Sequence, residues 1–314
     1  MNHLGPDRAQ QSYRHEAFLW HDPVDFTAGL VPFLEDGLDA GEPIMVAIGP
    51  EHTTWLKDAL GDRAEDVTFV DMHRLGRNPA RIIPAWQEFL DAHADTVGPA
   101  RGIGEPIWPG RRDVEVEECQ LHEALLNVAV DPSIPFWLIC PYEADVLAPA
   151  VVEEAYRRHP VIIEAASYHG STQYAGRAHV DALLSRGLAE PGRSVRLAHF
   201  SRRDVGRLFT YVKLELYVSG LSEGEANAMA GVVQRLAESS LHRGSNGGLV
   251  RIWTEPGAVL CEVADDTTVS DPLVGRRPPR HEDHDAVWLA NQVCHLVQVR
   301  STDAGTAVRL HHWM

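Results

Sequence analysis

Four residues in the stretch ECQLHEALLN have side chains that could hold a metal: Glu118, Cys119, His122 and Glu123. On a helix, Cys119 and His122 share a face at i, i+3, and Glu118 meets His122 at i, i+4. A structural site of the zinc type needs four ligands, and the sequence has no second C-x-x-H or H-x-x-x-H pair. The pattern therefore predicts no metal, with Cys119 in the core and His122 hydrogen-bonded to Glu118 or to the loop 102–111. Other reactive side chains are poorer candidates. Ser239 and Ser240 lack an accompanying base and oxyanion donors. His311 and His312 are adjacent on a strand pattern, so only one can face the core. The run His281-Glu282-Asp283-His284-Asp285 reads as a solvated charged loop.

These groups must be positioned by an alternation of strands and helices. Strand-like runs lie at 16–20, 43–48, 67–70, 100–103, 136–140 and 161–164, with helical patterns at 24–39, 51–60, 79–92, 114–128 and 148–158. Asp22-Pro23 and Asn78-Pro79 are helix starts, and Gly41 is a stop. The alternation predicts a mostly parallel, three-layer α/β domain with helices on both sheet faces. Ligands of such sheets sit beyond the carboxyl ends of the strands. Those ends carry Trp20, His21, Asp71, Glu105, Trp108 and Tyr142, with His122 reaching the Glu105 loop. Aromatics, carboxylates and imidazoles in that mixture suit a small-molecule pocket. The plainer alternative is that Glu105 and Trp108 only shape and pack their loop.

The segments RHEAFLWHDPVDFTAGLVPFLEDGLDAGEPIMVAI, RNPARIIPAW, RGIGEPIWPGR and ECQLHEALLN resemble a MEDS domain, a sensory module named from methanogens, methylotrophs and a dichloromethane regulator. The resemblance implies a sensor of small molecules and, distantly, a RecA-like fold. The turn after the first strand is His21-Asp22-Pro23, without the Gly-rich loop or lysine of a phosphate-binding loop, so nucleotide hydrolysis is not expected there.

The second half reads differently. The stretch 232–271 is a helix with one apolar face, a Gly-rich turn at Gly244, Gly247 and Gly248, and two strands at 249–253 and 259–263 around Glu255-Pro256-Gly257. A helix at 286–294 and strands at 296–300 and 306–311 follow. With HRGSNGG, DPLVGRRPP and WLANQVCHLVQVRSTDAGTAVRLH, this order resembles the GHKL ATP-binding fold of serine-kinase-like anti-sigma factors, an α+β sandwich. In that family a helical glutamate polarises the nucleophile and an asparagine holds Mg²⁺; Arg235 and Ser239 stand at those positions. Arginine stays protonated and cannot act as a base. The adenine-binding Asp-x-Gly corresponds to Asp265-Asp266-Thr267, which loses the glycine. The later Gly-x-Gly corresponds to His284-Asp285-Ala286, where β-carbons and a negative charge oppose phosphates. The resemblance thus implies a kinase fold without kinase chemistry, with no ATP or Mg²⁺ bound.

The chain's 314 residues suffice for two cores, and 44% hydrophobic with 23% charged content suits a globular protein. The expected organisation is a tail at 1–13, a sensory domain at 14–165, a linker at 166–193 and a degenerate kinase-like domain at 194–314. A net charge of −17 argues against nonspecific nucleic-acid binding. No stretch has the length of a membrane span, and four scattered cysteines suit a cytoplasmic protein. The expected function is a regulator whose sensory half controls a module gripping a sigma factor or a STAS-type anti-sigma antagonist, with homodimerisation allowed. The competing reading is an active serine kinase with atypical motifs.

Overall fold

The computed structural model describes residues 12–96, 98–164, 167–192, 194–279 and 286–314. The chain divides into two units, 1–180 and 181–314.

The first unit is built around β1 (Arg14–Trp20), which is buried from His15 onward. A strand buried on both faces needs helices on both sides, and the order supplies them. β1 is followed by α1 (Pro23–Asp39), β2 (Ile44–Ile48), α2 (Pro50–Leu60), β3 (Thr68–Asp71) and the short α3 (Met72–Leu75). Then come α4 (Ile82–Ala92), β4 (Ala100–Gly104), α5 (Asp113–Ala129), β5 (Phe136–Glu143), α6 (Pro149–Arg158) and β6 (Val161–Glu164). Asp22 caps α1 by accepting from the Val24 and Asp25 amides at 2.8 and 2.9 Å, with Pro23 in the first turn. The sheet order is β3-β2-β4-β5-β1-β6-β7, where β7 (Ser167–Gly170) is antiparallel to β6 and all other pairings are parallel. The carboxyl ends of β1 to β6 therefore share one sheet edge. Within the stretch expected as a linker lie β7 and α7 (Gly176–Leu184), which spans the division between the units.

Alternation along β1 and β5 separates two environments. Phe18, Trp20, Trp137 and Ile139 pack with α1 and α2, while His15, Cys140 and Tyr142 point to the α5–α6 side. This parity matters for the site.

The second unit holds β8 (Arg196–Ser201), α8 (Val205–Val218), α9 (Glu223–His242), β9 (Gly247–Glu255), β10 (Ala258–Asp265), α10 (Ala286–Val293), β11 (Leu296–Thr302) and β12 (Gly305–Trp313). Its five strands run antiparallel in the order β11-β12-β10-β9-β8. Ser222 and Glu225 form a capping box that starts α9, and Gly244, at φ 106°, lies just past its end. Gly247 and Gly248 do not stop the helix as expected; they open β9. A β-carbon on Gly248 would lie 2.3 Å from the Ala264 carbonyl oxygen, so the close strand approach requires glycine. One sheet face packs Val250, Ile252, Val259, Cys261 and Leu310 against the helices. The other carries an ion network on Glu262, whose Oε2 accepts from Arg309 at 2.7 and 2.9 Å and whose Oε1 accepts from Arg251 at 2.8 Å. Among the described residues, no helix is long and apolar enough to cross a membrane.

Candidate functional site

At the carboxyl edge of the parallel sheet, Glu105 follows β4 and is only 3% exposed. Its Oε2 accepts from the Gly49 amide at 3.2 Å and contacts His52 Nδ1 at 2.9 Å. His52, on α2, sits among aromatic rings, with centroids 5.2 Å from Trp20, 4.9 Å from Phe26 and 4.7 Å from Trp55. Burial disfavours the His52 cation, but the hydrogen bond and charge of Glu105, then the charges of Glu143 and Glu51, outweigh it and raise its pKa. Burial raises the Glu143 carboxyl, against the pull of His52. Trp20 is 1% exposed, and its indole N–H has no hydrogen-bond partner among the described residues. A buried donor in that state is free to meet a ligand or a water.

The cluster of side chains continues past Gly49. A β-carbon there would sit 3.0 Å from His73 Nε2 and 3.7 Å from Glu105 Oε2, so glycine lets the two side chains approach the strand end. The His73 ring lies tilted against Trp108, with centroids 4.3 Å apart, and the Arg111 guanidinium lies 3.5 Å over the Trp108 indole.

Of the residues expected from sequence, Trp20, Glu105 and Trp108 are thus joined through His52, Gly49 and His73. His21 is exposed and pairs with Asp145 at 3.0 Å, a hydrogen bond that raises its pKa. Asp71 caps α3 by accepting from the His73 amide at 2.9 Å, so it orients the His73 backbone. Tyr142 does not join the crevice. It falls on the opposite face of β5, beside His159 at 5.7 Å, because β5 runs to Glu143 and the alternation turns that glutamate toward His52 instead. His122 is buried on α5, and Cys119 donates to the Pro106 carbonyl at 3.2 Å, tying the helix to the Glu105 loop. His73 belongs to the expected strand end Asp71-Met72-His73, whereas His52 and Glu143 lie outside the residues expected from sequence. Their positions on the helix after β2, and at the true end of β5, were the available signal.

In the second unit a cavity of about 300 Å³ opens between α9, β10 and α10, lined in part by Ser239, Asp265 and Ala286. Arg243 is part of that lining. Its guanidinium donates to Ser239 Oγ at 3.0 Å, Thr267 Oγ1 at 3.2 Å and Asp265 Oδ2 at 2.8 Å. Asp265 Oδ1 accepts from the Thr267 amide at 2.7 Å and from the Thr267 hydroxyl. Both carboxylate oxygens are therefore engaged within the chain. Arg235 is half exposed at the rim, 3.8 Å from Glu238, and His284 lies outside the described residues.

Residues 14–160 match the family described as MEDS: MEthanogen/methylotroph, DcmR Sensory domain. No curated protein matches the chain. Among solved structures, the chain is similar to the RsbU and RsbW domains of Rv1364c from Mycobacterium tuberculosis, at 13% identity and a TM-score of 0.29. That likeness covers 38% of this chain and 32% of the other, about a third of its length. The strands β1 to β5, with Trp20, His52 and Glu105 at or near their carboxyl ends, thus lie within the residues 14–160 that match the MEDS family.

Proposed function

We propose that this protein is a signalling regulator in which a small, partly apolar molecule is sensed by the first unit. The second unit, which resembles the GHKL anti-sigma factors in sequence, acts by gripping a sigma factor or a STAS-type antagonist without nucleotide chemistry. One observation carries the second half of this reading: Arg243 bonds Ser239, Asp265 and Thr267 at the lining of the cavity where the resemblance would seat a nucleotide. An adenine amine approaching Asp265 must first displace an ion pair, and Arg235 supplies no base. The Trp20 ring beside His52, with its buried indole N–H unpartnered among the described residues, supports the sensory half, since it offers a donor among several aromatic faces. We place the protein in the cytoplasm, where its four free, buried thiols stay reduced.

Calorimetry of the full chain with ATP and Mg²⁺ tests the absence of kinase chemistry. Micromolar binding corresponds to about 8 kcal/mol, and one retained, already engaged aspartate supplies far less, about 1–3 kcal/mol. No binding heat is expected at micromolar concentrations. A micromolar Kd, or phosphate transfer to a partner serine, would sink the reading in favour of an atypical serine kinase.

A further inference from the structure

The α5 side of the parallel sheet holds a polar cluster that the crevice does not use. His15 on β1, Glu123 on α5, Cys140 on β5 and His159 just after α6 are all buried, and one donor atom from each lies within 4.8 Å of the others.

The hydrogen bonds around this cluster determine which way the lone pairs face. His159 Nδ1 is 2.9 Å from the Ala155 carbonyl oxygen. A carbonyl only accepts, so Nδ1 carries the proton, and in the neutral ring Nε2 keeps its lone pair. That Nε2 points at Glu123 Oε2, 3.0 Å away. His15 is set in the same sense. Asn127 Nδ2 donates to the Arg158 carbonyl at 2.9 Å, which turns the Asn127 oxygen toward His15 Nδ1 at 3.2 Å. His15 Nε2 therefore faces Glu123 Oε2 at 3.1 Å and Cys140 Sγ at 3.3 Å. Two imidazole lone pairs and a carboxylate oxygen in mutual contact repel unless positive charge lies among them. The second oxygen, Glu123 Oε1, is also buried and has no hydrogen-bond partner among the described residues. Protons can relieve individual contacts. A divalent cation relieves all of them together.

Size and charge agree. Metal–ligand bonds of about 2.0–2.3 Å in a tetrahedron separate the ligand atoms by about 3.3–3.8 Å, a few tenths of an ångström beyond the shortest contacts here. A carboxylate and a thiolate balance a divalent ion, and two neutral imidazoles complete the set, so the buried site carries no net charge. The nearby Arg158 charge is already matched by Glu154 at 2.5 Å. Each histidine donates its outer nitrogen to a fixed oxygen, the arrangement that orients metal-binding imidazoles.

We propose that His15, Glu123, Cys140 and His159 form a closed tetrahedral site for a zinc-class divalent metal. It ties β1, α5, β5 and the end of α6 together. Four protein ligands leave no position for a substrate, so the role is structural. Cys140 binds as thiolate and its proton passes to solvent, so affinity falls with acid.

The test uses the full-length protein, purified without chelator for metal analysis, then stripped and titrated with Co²⁺ and with Zn²⁺. About one zinc per chain is expected, together with the visible bands of tetrahedral cobalt, a sulfur-to-cobalt charge-transfer band and a Tm raised by zinc. Cys140→Ser should lose the charge-transfer band, whereas Cys119→Ser should keep it. Asn127→Ala, which releases His15, should weaken zinc binding about 10–100-fold. If Cys140→Ser does not fold, the wild-type cobalt spectrum and zinc-dependent Tm decide. No charge-transfer band in the wild type, its survival in Cys140→Ser, or a Tm indifferent to zinc would overturn the proposal.

Discussion

Glu105 organises its surroundings because one oxygen serves both the Gly49 amide and His52. The position of Glu105 and Trp20 was legible, since both follow strands whose ends the sequence pattern locates. His52 was not, because its selection depends on how α2 lies over the edge. The pairing has a pH signature. The folded-state pKa of His52 is raised, so its contribution is full below the ordinary value of about 6.5 and is lost as pH rises through the folded value. Glu105→Gln should lower the His52 pKa in an NMR titration, despite the remaining charges of Glu143 and Glu51; an unchanged midpoint would show that Glu105 does not set it. Arg243 had a readable signal as well: it stands four residues after Ser239 on the α9 register, close enough to meet it.

Between elements, the antiparallel sheet shows how a face can be closed with charge. Glu262 on β10 is fully buried, and Arg251 and Arg309 reach it from the flanking strands β9 and β12 at registered positions. Removing the carboxylate would leave two guanidinium groups facing each other in a buried setting. Glu262→Ala should therefore cost about 3–5 kcal/mol in urea unfolding, and a loss below 1 kcal/mol, the range of exposed pairs, would mean that water reaches the network. The α8 helix bears on where a partner could dock. Arg202 and Arg203 precede α8 rather than lie on it, and Arg202 donates to the Leu241 carbonyl at 2.6 Å. Phe209 and Tyr211 pack toward the core. The exposed apolar groups are instead Leu214, Tyr217 and Val218, at 58, 57 and 61% exposure and on one helical face. Under the proposed function, Tyr217→Asp should abolish ATP-independent recovery of a sigma factor or antagonist in a pull-down while leaving the circular dichroism unchanged. Equal recovery by the variant would move the docking surface elsewhere.

Taken as a whole, the molecule has a net charge of −17, so acidification reduces its overall self-repulsion. Particular buried groups oppose that trend. His311 on β12 is 4% exposed and contacts Gln298 on β11 at 3.0 Å; burial, reinforced by the Arg309 charge, pushes its pKa down to about 3. Between that value and the ordinary one near 6.5, the unfolded chain takes up a proton that the folded unit refuses. Stability is then lost as pH falls through this window, by up to about 1.4 kcal/mol per pH unit for one such group. Urea unfolding followed by tryptophan fluorescence should show that slope, and His311→Gln should flatten it. A slope unchanged in the variant would assign the acid sensitivity to other groups. His312, its neighbour, faces the other way and meets Glu225 at 3.2 Å, as the alternation along a strand requires.

What the sequence determined by itself was periodic or local. The parallel architecture of the first unit followed from strand and helix repeats, and the start of α1 from Asp22-Pro23, where one side chain caps the amides of its own first turn. The resemblance of the first domain, expected at 14–165, to a MEDS domain rested on contiguous residues, and the family match covers 14–160. What only the tertiary structure decided was every relation between distant residues. Tyr142 left the crevice because β5 is three residues longer than its apolar run, and parity does the rest. Gly247 and Gly248 became strand residues because Phe200 and Ala264 approach them from both sides, contacts that no local signal encodes. His15, Glu123, Cys140 and His159 are scattered over 145 positions with no ligand spacing among them. Packing α5 and α6 on one sheet face brings them together, since burial selects faces and spacing along the chain does not.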